Sequence, residues 1–296
     1  MRILLCLFCA LSALLAADSK LKVLVSVLPQ KQMLERIGGE YVEVEVLVPS
    51  GKSPEIYEPS IAQMKYIQHA SVFFGVGMPL ESVWFKKFRT INAGLKYYSL
   101  TQNHHAHEAQ PHDTHTHNPH IWLSPKDSQI QAEFIANTLS SLKGEQTEFF
   151  HTRAKQLIDE LKEIEANTRK LFARADTHKS FLVYHPAFED FARDFQLEEL
   201  SIEKDGKEAK GRDLSQLITQ VKEKNIQVIF TQPQFSQSRV QSLVSELQLN
   251  AITLDPLLPS YPHALRIYAC QIAFHTDAQS QRLLACLNEF FPHTKR

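Results

Sequence analysis

The histidines of the chain are unevenly distributed, since seven of the fourteen lie within residues 104–120. The first six are interleaved with polar residues such as Glu108 and Asp113 and follow no apolar period, which predicts a solvated loop. Neutral imidazole is the commonest protein ligand of zinc and also binds copper and nickel, so we expect accessory metal capture by this loop. The alternative is a polar loop that is incidentally histidine-rich. The accessory residues are His104, His105, His107, His112, His115 and His117.

The seventh histidine, His120, has different neighbours. It follows Asn118-Pro119 and precedes the apolar residues 121–123, so it lies where a polar loop becomes ordered backbone. A single histidine at such a position is more often structural than a metal ligand. The histidines that precede His120 favour the ligand interpretation.

Three further metal-capable residues follow predicted strands, where open parallel sheets bind their ligands. His185 directly follows the strand FLVY, Asp255 directly follows AITL, and Glu55 lies in the loop after VEVEVLVP. Together with His120 they would supply two imidazoles and two carboxylates, two residues from each half of the chain, enough to enclose a divalent cation. The alternatives are a solvated loop carboxylate for Glu55 and a turn-forming Asp-Pro for Asp255.

Motifs of common enzyme classes are incomplete. GKS at residues 51–53 imitates the end of a phosphate-binding loop, but Val46 stands where its first glycine must be. GVGMPL lacks the third glycine of a dinucleotide-binding turn, and no G-x-S-x-G, H-E-x-x-H or paired C-x-x-C occurs. An enzyme would therefore lack an obvious nucleophile or base, and we expect that the protein is not an enzyme.

The elements that must position these residues alternate between strands and helices in both halves of the chain. KVLVSVLP, VEVEVLVP, SVFFGVG and LKYYSL read as strands in the first half, and SFLVY, LEELSIEK, IQVIFTQ and NAITL in the second. Intervening helical patterns imply parallel strands. We therefore predict an α/β fold of two open parallel-sheet lobes with about four strands each, and a metal site in the cleft between them.

One predicted helix is longer than the others. Apolar residues step by four and three from Phe150 to Leu171, which indicates an amphipathic helix of roughly 28 residues. We expect a rigid helix that joins the two lobes; the alternative is a bundle helix packed within one lobe. The predicted domains are an N-terminal lobe at 18–143, the linking helix at 144–175 and a C-terminal lobe at 176–296.

The length, charge and first residues of the chain limit its class and location. A chain of 296 residues exceeds the usual size of one hydrophobic core, which favours two domains. Its net charge of −1 gives no basic surface for nucleic acid.

Residues 1–17 combine Met1-Arg2 with a fifteen-residue apolar run, which predicts a signal peptide and export to the periplasm. An uncleaved anchor is the alternative.

Two cysteines, Cys270 and Cys286, remain after that segment. A chain reversal near residues 276–280 would let two helices bring them face to face as a disulfide. Two buried free thiols are the alternative.

The motifs of the chain resemble those of the metal-receptor proteins of bacterial ABC uptake systems, specifically the zinc-binding ZnuA-type members, over essentially the whole mature length. The segment SPEIYEPS lies at the position of the family motif D-P-H-x-Y-E-P, and NPHIWLSP lies at the position of D-P-H-x-W-L-x-P. YHPAFEDFA lies at the position of a motif like H-x-A-F-x-Y-F, and LDPL and the histidine-rich loop also match. The resemblance implies two α/β lobes joined by one long helix, with metal ligands at His120, His185 and Asp255. Glu55 stands where the family usually has histidine.

The resemblance implies a periplasmic receptor, expected as a monomer, that delivers Zn²⁺ to an ABC-type permease. Family members that prefer manganese typically carry a carboxylate at the position of His185. His185 and the histidine-rich loop therefore favour a zinc receptor over a manganese receptor. Two other classes are alternatives: a secreted metal-dependent hydrolase using the same ligands, and a surface adhesin with an incidental metal site.

Overall fold

The computed structural model describes residues 19–101, 118–204 and 206–292. The predicted signal peptide at 1–17 and the histidine-rich loop at 104–117 lie outside the described residues. None of the helices in these described ranges has a hydrophobic stretch of the length needed to span a bilayer.

The first half of the chain forms a four-stranded parallel sheet with strand order β2-β1-β3-β4. Val23 at the centre of β1 pairs with Val44 on one side and Val72 on the other, and all three are buried, as expected of an inner strand covered on both faces. The elements are β1 Leu21–Val25, α1 Leu28–Gly38, β2 Val42–Val46, α2 Ile61–Ile67, β3 Val72–Gly75, α3 Pro79–Ile91 and β4 Lys96–Ser99.

The second half forms another four-stranded parallel sheet, with order β10-β9-β5-β6, and a small antiparallel hairpin, β7-β8. The two predicted parallel-sheet lobes are thus confirmed. The elements after β4 are α4 Pro125–Leu142, α5 Thr147–Phe172, β5 Ser180–Val183, α6 Glu189–Phe195, β6 Glu198–Ser201, β7 Glu203–Lys204, β8 Lys207–Glu208, α7 Arg212–Glu223, β9 Val228–Thr231, α8 Gln237–Leu247, β10 Asn250–Thr253, α9 His263–Phe274 and α10 Gln281–Phe290.

Helix α5 is the long helix that the sequence predicts. Its 26 residues span about 39 Å, and the predicted apolar stripe from Phe150 to Leu171 is buried. The helix packs against α1 and α4 on the side of the first sheet and against α6, α9 and α10 on the side of the second. It is therefore a connection between the lobes and not a helix of one lobe.

Charged groups reinforce this connection in the middle of α5. Glu160 contacts Arg36 of α1 at 2.7 Å through one carboxylate oxygen and Arg266 of α9 at 2.8 Å through the other. Burial alone would raise the pKa of Glu160, but the hydrogen bonds from Arg266 and Arg36 outweigh it and hold the pKa below its usual range. One carboxylate on the linking helix thus contacts a helix from each half of the chain.

Helices α9 and α10 are joined by a disulfide. Cys270 and Cys286 bond with Cα atoms 5.9 Å apart, and both side chains are buried. Of the two alternatives left open by the sequence, the structure contains the bonded pair.

Candidate metal centre

The four predicted ligands lie beyond the carboxyl ends of strands in both sheets. Glu55 is in the loop after β2, His120 follows β4, His185 follows β5 by two residues, and Asp255 follows β10 by two residues. Because every ladder in the two four-stranded sheets is parallel, these loops emerge from the same edge of each sheet. This is where open α/β sheets place their ligands.

The structure brings three of the four residues together at the junction of the lobes. Glu55 Oε1 lies 3.2 Å from His185 Nε2, which is a contact between a loop of the first half and a strand end of the second. The rings of His120 and His185 meet edge to face with their centroids 5.4 Å apart. Two imidazoles and one carboxylate therefore converge from loops that are distant in sequence.

Asp255 lies beside the His120 loop, but its side chain is bound within its own lobe. Its Oδ1 accepts hydrogen bonds from the Leu257 backbone N–H at 3.0 Å and from Gln234 Nε2 at 2.8 Å. The next residue, Pro256, accepts a hydrogen bond from Trp122 Nε1 at 2.9 Å, which connects the two loops. This geometry agrees with the alternative interpretation of Asp255 as a turn-forming residue.

In residues 19–101, 118–204 and 206–292, no group of three or more His, Cys, Asp or Glu side chains has an arrangement that could hold a metal ion. The Asp255 carboxylate accepts its hydrogen bonds from its own lobe, and the histidines at 104–117 lie outside those residues. The assignment of the four residues as one ligand set stays a prediction.

The Nδ1 atoms of both central histidines have oxygen partners. His120 Nδ1 lies 2.7 Å from Asn118 Oδ1, which also accepts the His120 backbone N–H at 3.0 Å. His185 Nδ1 lies 2.9 Å from Oε2 of Glu203, whose side chain is only 9% exposed. A hydrogen bond at one ring nitrogen directs the lone pair of a neutral imidazole to the other nitrogen. For His120 that nitrogen is Nε2, whereas His185 has a carboxylate oxygen near each ring nitrogen.

The backbone that carries His185 is fixed from two sides. Buried Gln232 donates to the His185 carbonyl at 2.9 Å and accepts its N–H at 3.3 Å. Glu199 accepts the backbone N–H groups of Ala187 and Phe188, and burial raises its pKa to about 7. These bonds determine the direction in which the imidazole leaves the end of β5.

The first lobe has a comparable anchor in Glu81. This buried carboxyl accepts hydrogen bonds from Ser26 Oγ at 2.5 Å, from Tyr97 OH at 2.6 Å, and from the backbone N–H groups of Val76 and Gly77 at 2.9 Å. Burial raises the pKa of Glu81 despite these donors. The network ties the ends of β1 and β3 to β4, from which the His120 loop departs.

The environment of His120 keeps its ring neutral. Burial, followed by the proximity of His185, lowers the pKa of His120 to about 3. Neutral imidazole is the form that binds metal ions, so protons do not compete for this ring near neutral pH.

Sequence reasoning missed Glu203. The sequence predicts one strand at 197–204 that overlaps a polar loop beginning at residue 203, whereas β6 ends at Ser201 and the short strand β7 begins at Glu203. A carboxylate at that position, at the start of a polar loop, was the signal that could have identified it.

Comparison with known proteins gives one family match. The family described as "Zinc-uptake complex component A periplasmic", ZnuA, matches residues 23–273. The "Zinc-binding lipoprotein AdcA" of Streptococcus pneumoniae (strain ATCC BAA-255 / R6) is 28% identical over 256 residues, which cover 81% of this chain and 51% of AdcA. A "Putative metal-binding protein" of Treponema pallidum (strain Nichols) is 26% identical and covers 79% of both chains. The chain thus spans about half the length of the AdcA proteins it matches.

Solved structures with the same fold include "Crystal structure of ZnuA", with a TM-score of 0.76 and 30% sequence identity, covering 85% of this chain and 97% of that one. A second, "Crystal structure of 138-173 ZnuA deletion mutant plus zinc bound", has a TM-score of 0.78 and 31% identity, and covers 88% of this chain and all of that one.

Proposed function

The chain belongs to the ZnuA family of periplasmic zinc-uptake components, and we propose that it is a periplasmic receptor that captures Zn²⁺ and delivers it to an ABC-type permease. In this proposal zinc is cargo, bound and released unchanged, and the protein is not an enzyme. We further propose that it acts as a monomer.

The observation that carries the proposal is the convergence of His120, His185 and Glu55 between the lobes, with Nδ1 of both rings held by oxygen partners. Two Nε2 donors and a carboxylate suit zinc, which takes nitrogen and oxygen ligands in a tetrahedral set. We propose Asp255 as the fourth ligand, because its loop already contacts the His120 loop through Trp122.

We propose zinc in preference to manganese because half of the ligand set is imidazole, and the intrinsic affinity order of divalent metals places Zn²⁺ well above Mn²⁺. Glu55 adds negative charge at a position where the family usually has histidine. A second carboxylate makes the site more tolerant of metals that prefer oxygen ligands, so selectivity over manganese should be lower than with an imidazole at this position.

The predicted domains belong to the same proposal. Residues 1–17 would be the signal peptide, residues 104–117 an accessory capture loop within the lobe 18–143, and residues 144–175 the linking helix before the lobe 176–296. The described helix α5, Thr147–Phe172, supports the linking role.

The test is metal analysis of untagged protein purified from the periplasm, followed by competition titration with zinc and manganese. We expect one tightly bound zinc per chain, displaced poorly by manganese, and a site that His120→Ala or His185→Ala strongly weakens. Manganese as the native ion would contradict the assigned cargo. A labile metal-bound water together with hydrolysis of esters or phosphoesters would favour the hydrolase.

A further inference from the structure

Glu203 contacts His185 on the ring nitrogen opposite Glu55. Its Oε2 lies 2.9 Å from Nδ1, whereas Glu55 Oε1 lies 3.2 Å from Nε2. The imidazole of His185 thus stands between two carboxylates, one from each half of the chain. Neutral imidazole has only one N–H, so only one of the two carboxylates can accept a hydrogen bond from it.

Burial decides between these two carboxylates. The Glu203 side chain is 9% exposed, and that of Glu55 is 41% exposed. Water screens a carboxylate on an open loop and supplies it with other donors, whereas a nearly buried carboxylate without its hydrogen bond retains a large desolvation cost. The proton of the ring therefore belongs on Nδ1, facing Glu203, and the lone pair of Nε2 faces the cleft.

The position of Glu203 is fixed independently of the metal site. Its backbone N–H donates to the Tyr184 carbonyl at 2.9 Å, and its carbonyl accepts the Ser201 hydroxyl at 2.8 Å. The β7-β8 hairpin that begins at Glu203 is held in turn by the Tyr184 hydroxyl, which donates to Glu208 at 2.6 Å. These contacts fix the backbone of Glu203, from which its carboxylate reaches His185 Nδ1.

We propose that Glu203 is a positioning residue that fixes the Nδ1–H tautomer of His185 and so directs Nε2 to the cargo. The effect of Glu203 on zinc binding rests on the proposed zinc function, whereas the tautomer of His185 does not depend on it. A hydrogen-bonded carboxylate orients a metal-binding imidazole and makes it more basic, and loss of such a partner typically weakens metal binding about 10- to 100-fold.

The test compares three variants of the full-length protein. Glu203→Ala removes the acceptor, Glu203→Gln keeps an acceptor oxygen without the charge, and Glu208→Gln alters the same hairpin away from His185. In zinc-stripped protein, long-range ¹H–¹⁵N correlation of the His185 ring at neutral pH reports the tautomer. Competition titration then measures the zinc dissociation constant.

We expect the Nδ1–H tautomer in the parent protein, in Glu203→Gln and in Glu208→Gln, and its loss in Glu203→Ala. Zinc binding should weaken about 10- to 100-fold in Glu203→Ala, less in Glu203→Gln, and not in Glu208→Gln. An unchanged tautomer in Glu203→Ala, or equal loss of affinity in Glu208→Gln, would overturn the assignment. Because the tautomer is read without metal, failure of the parent protein to bind zinc would refute the proposed function and leave this inference standing.

Discussion

Glu160 on the linking helix provides a stringent test of how the two lobes are held together. It is three-quarters buried and pairs with Arg36 and with Arg266, whose side chain is only 9% exposed. Removing one partner of a buried pair costs about 3–5 kcal/mol, whereas an exposed pair contributes about 0–1 kcal/mol. Glutamine at position 160 keeps one hydrogen-bond acceptor, and some solvent reaches the group. We therefore expect Glu160→Gln to lower the free energy of unfolding by about 2 kcal/mol.

The neighbouring residue gives a matched control. Asp159 pairs with Lys155 on the same helix, but both side chains are largely exposed, so Asp159→Asn should lower the free energy of unfolding far less than Glu160→Gln does. Urea unfolding of zinc-free protein at pH 7 measures both variants. Equal free energies of unfolding for Glu160→Gln and the parent protein, or an equal loss in Asp159→Asn, would show that Glu160 does not stabilise the protein through its two arginines.

The pH dependence of the Glu160 effect has a defined sign. The pKa of this carboxyl is lower in the folded protein than its usual value of about 4.3, so the folded state binds fewer protons than the unfolded one. The resulting stability is complete above about pH 5 and is lost as the pH falls through the folded pKa. The difference between parent and Glu160→Gln should therefore be constant near neutrality and shrink below about pH 4.

Three further predictions concern the metal site. In competition titrations, Glu55→Ala should weaken zinc binding less than His120→Ala or His185→Ala, because water can occupy the vacated position. Glu55→His should shift selectivity towards zinc. Unchanged zinc affinity in Glu55→Ala would show that Glu55 is not a ligand. The free energy of unfolding of zinc-free protein should fall as the pH drops from about 6.5 towards 3. Burial lowers the pKa of His120 to about 3 in the folded protein, so the unfolded chain binds a proton at this histidine first. An equal decline in His120→Ala would contradict His120 as its cause. Deletion of residues 104–117 should remove weak multiple zinc binding seen by calorimetry and leave one tight site, because ordering a loop costs chain entropy; loss of all binding would make the loop the primary site.

The fold was predictable because its signals are local. Strand and helix patterns recur along the chain, and the buried stripe of α5 from Phe150 to Leu171 follows the predicted spacing. The ends of the elements were predicted less precisely, since the linking segment predicted at 144–175 contains a helix of Thr147–Phe172. Pairings between distant residues were not predictable. Glu160 and Arg266 are 106 residues apart, and no local pattern indicates their contact.

The site was predictable to the extent that it depends on strand ends. The rule that ligands lie beyond the carboxyl ends of strands selected Glu55, His120 and His185, which the structure brings together. It also selected Asp255, whose carboxylate accepts its hydrogen bonds within its own turn. It did not select Glu203, because the predicted strand at 197–204 extends three residues beyond the end of β6 and the candidates were taken from residues after strands.

In the proposed site, His120 and His185 bind zinc through Nε2 together with carboxylate oxygen. The most direct test is the X-ray absorption spectrum of zinc-loaded protein that lacks residues 104–117, so that loop histidines cannot contribute. We expect only nitrogen and oxygen neighbours, at about 2.0–2.2 Å from the zinc. Outer-shell scattering should come from two imidazoles and fall to that of one in His185→Ala. A spectrum without imidazole scattering, or one that His185→Ala leaves unchanged, would contradict it.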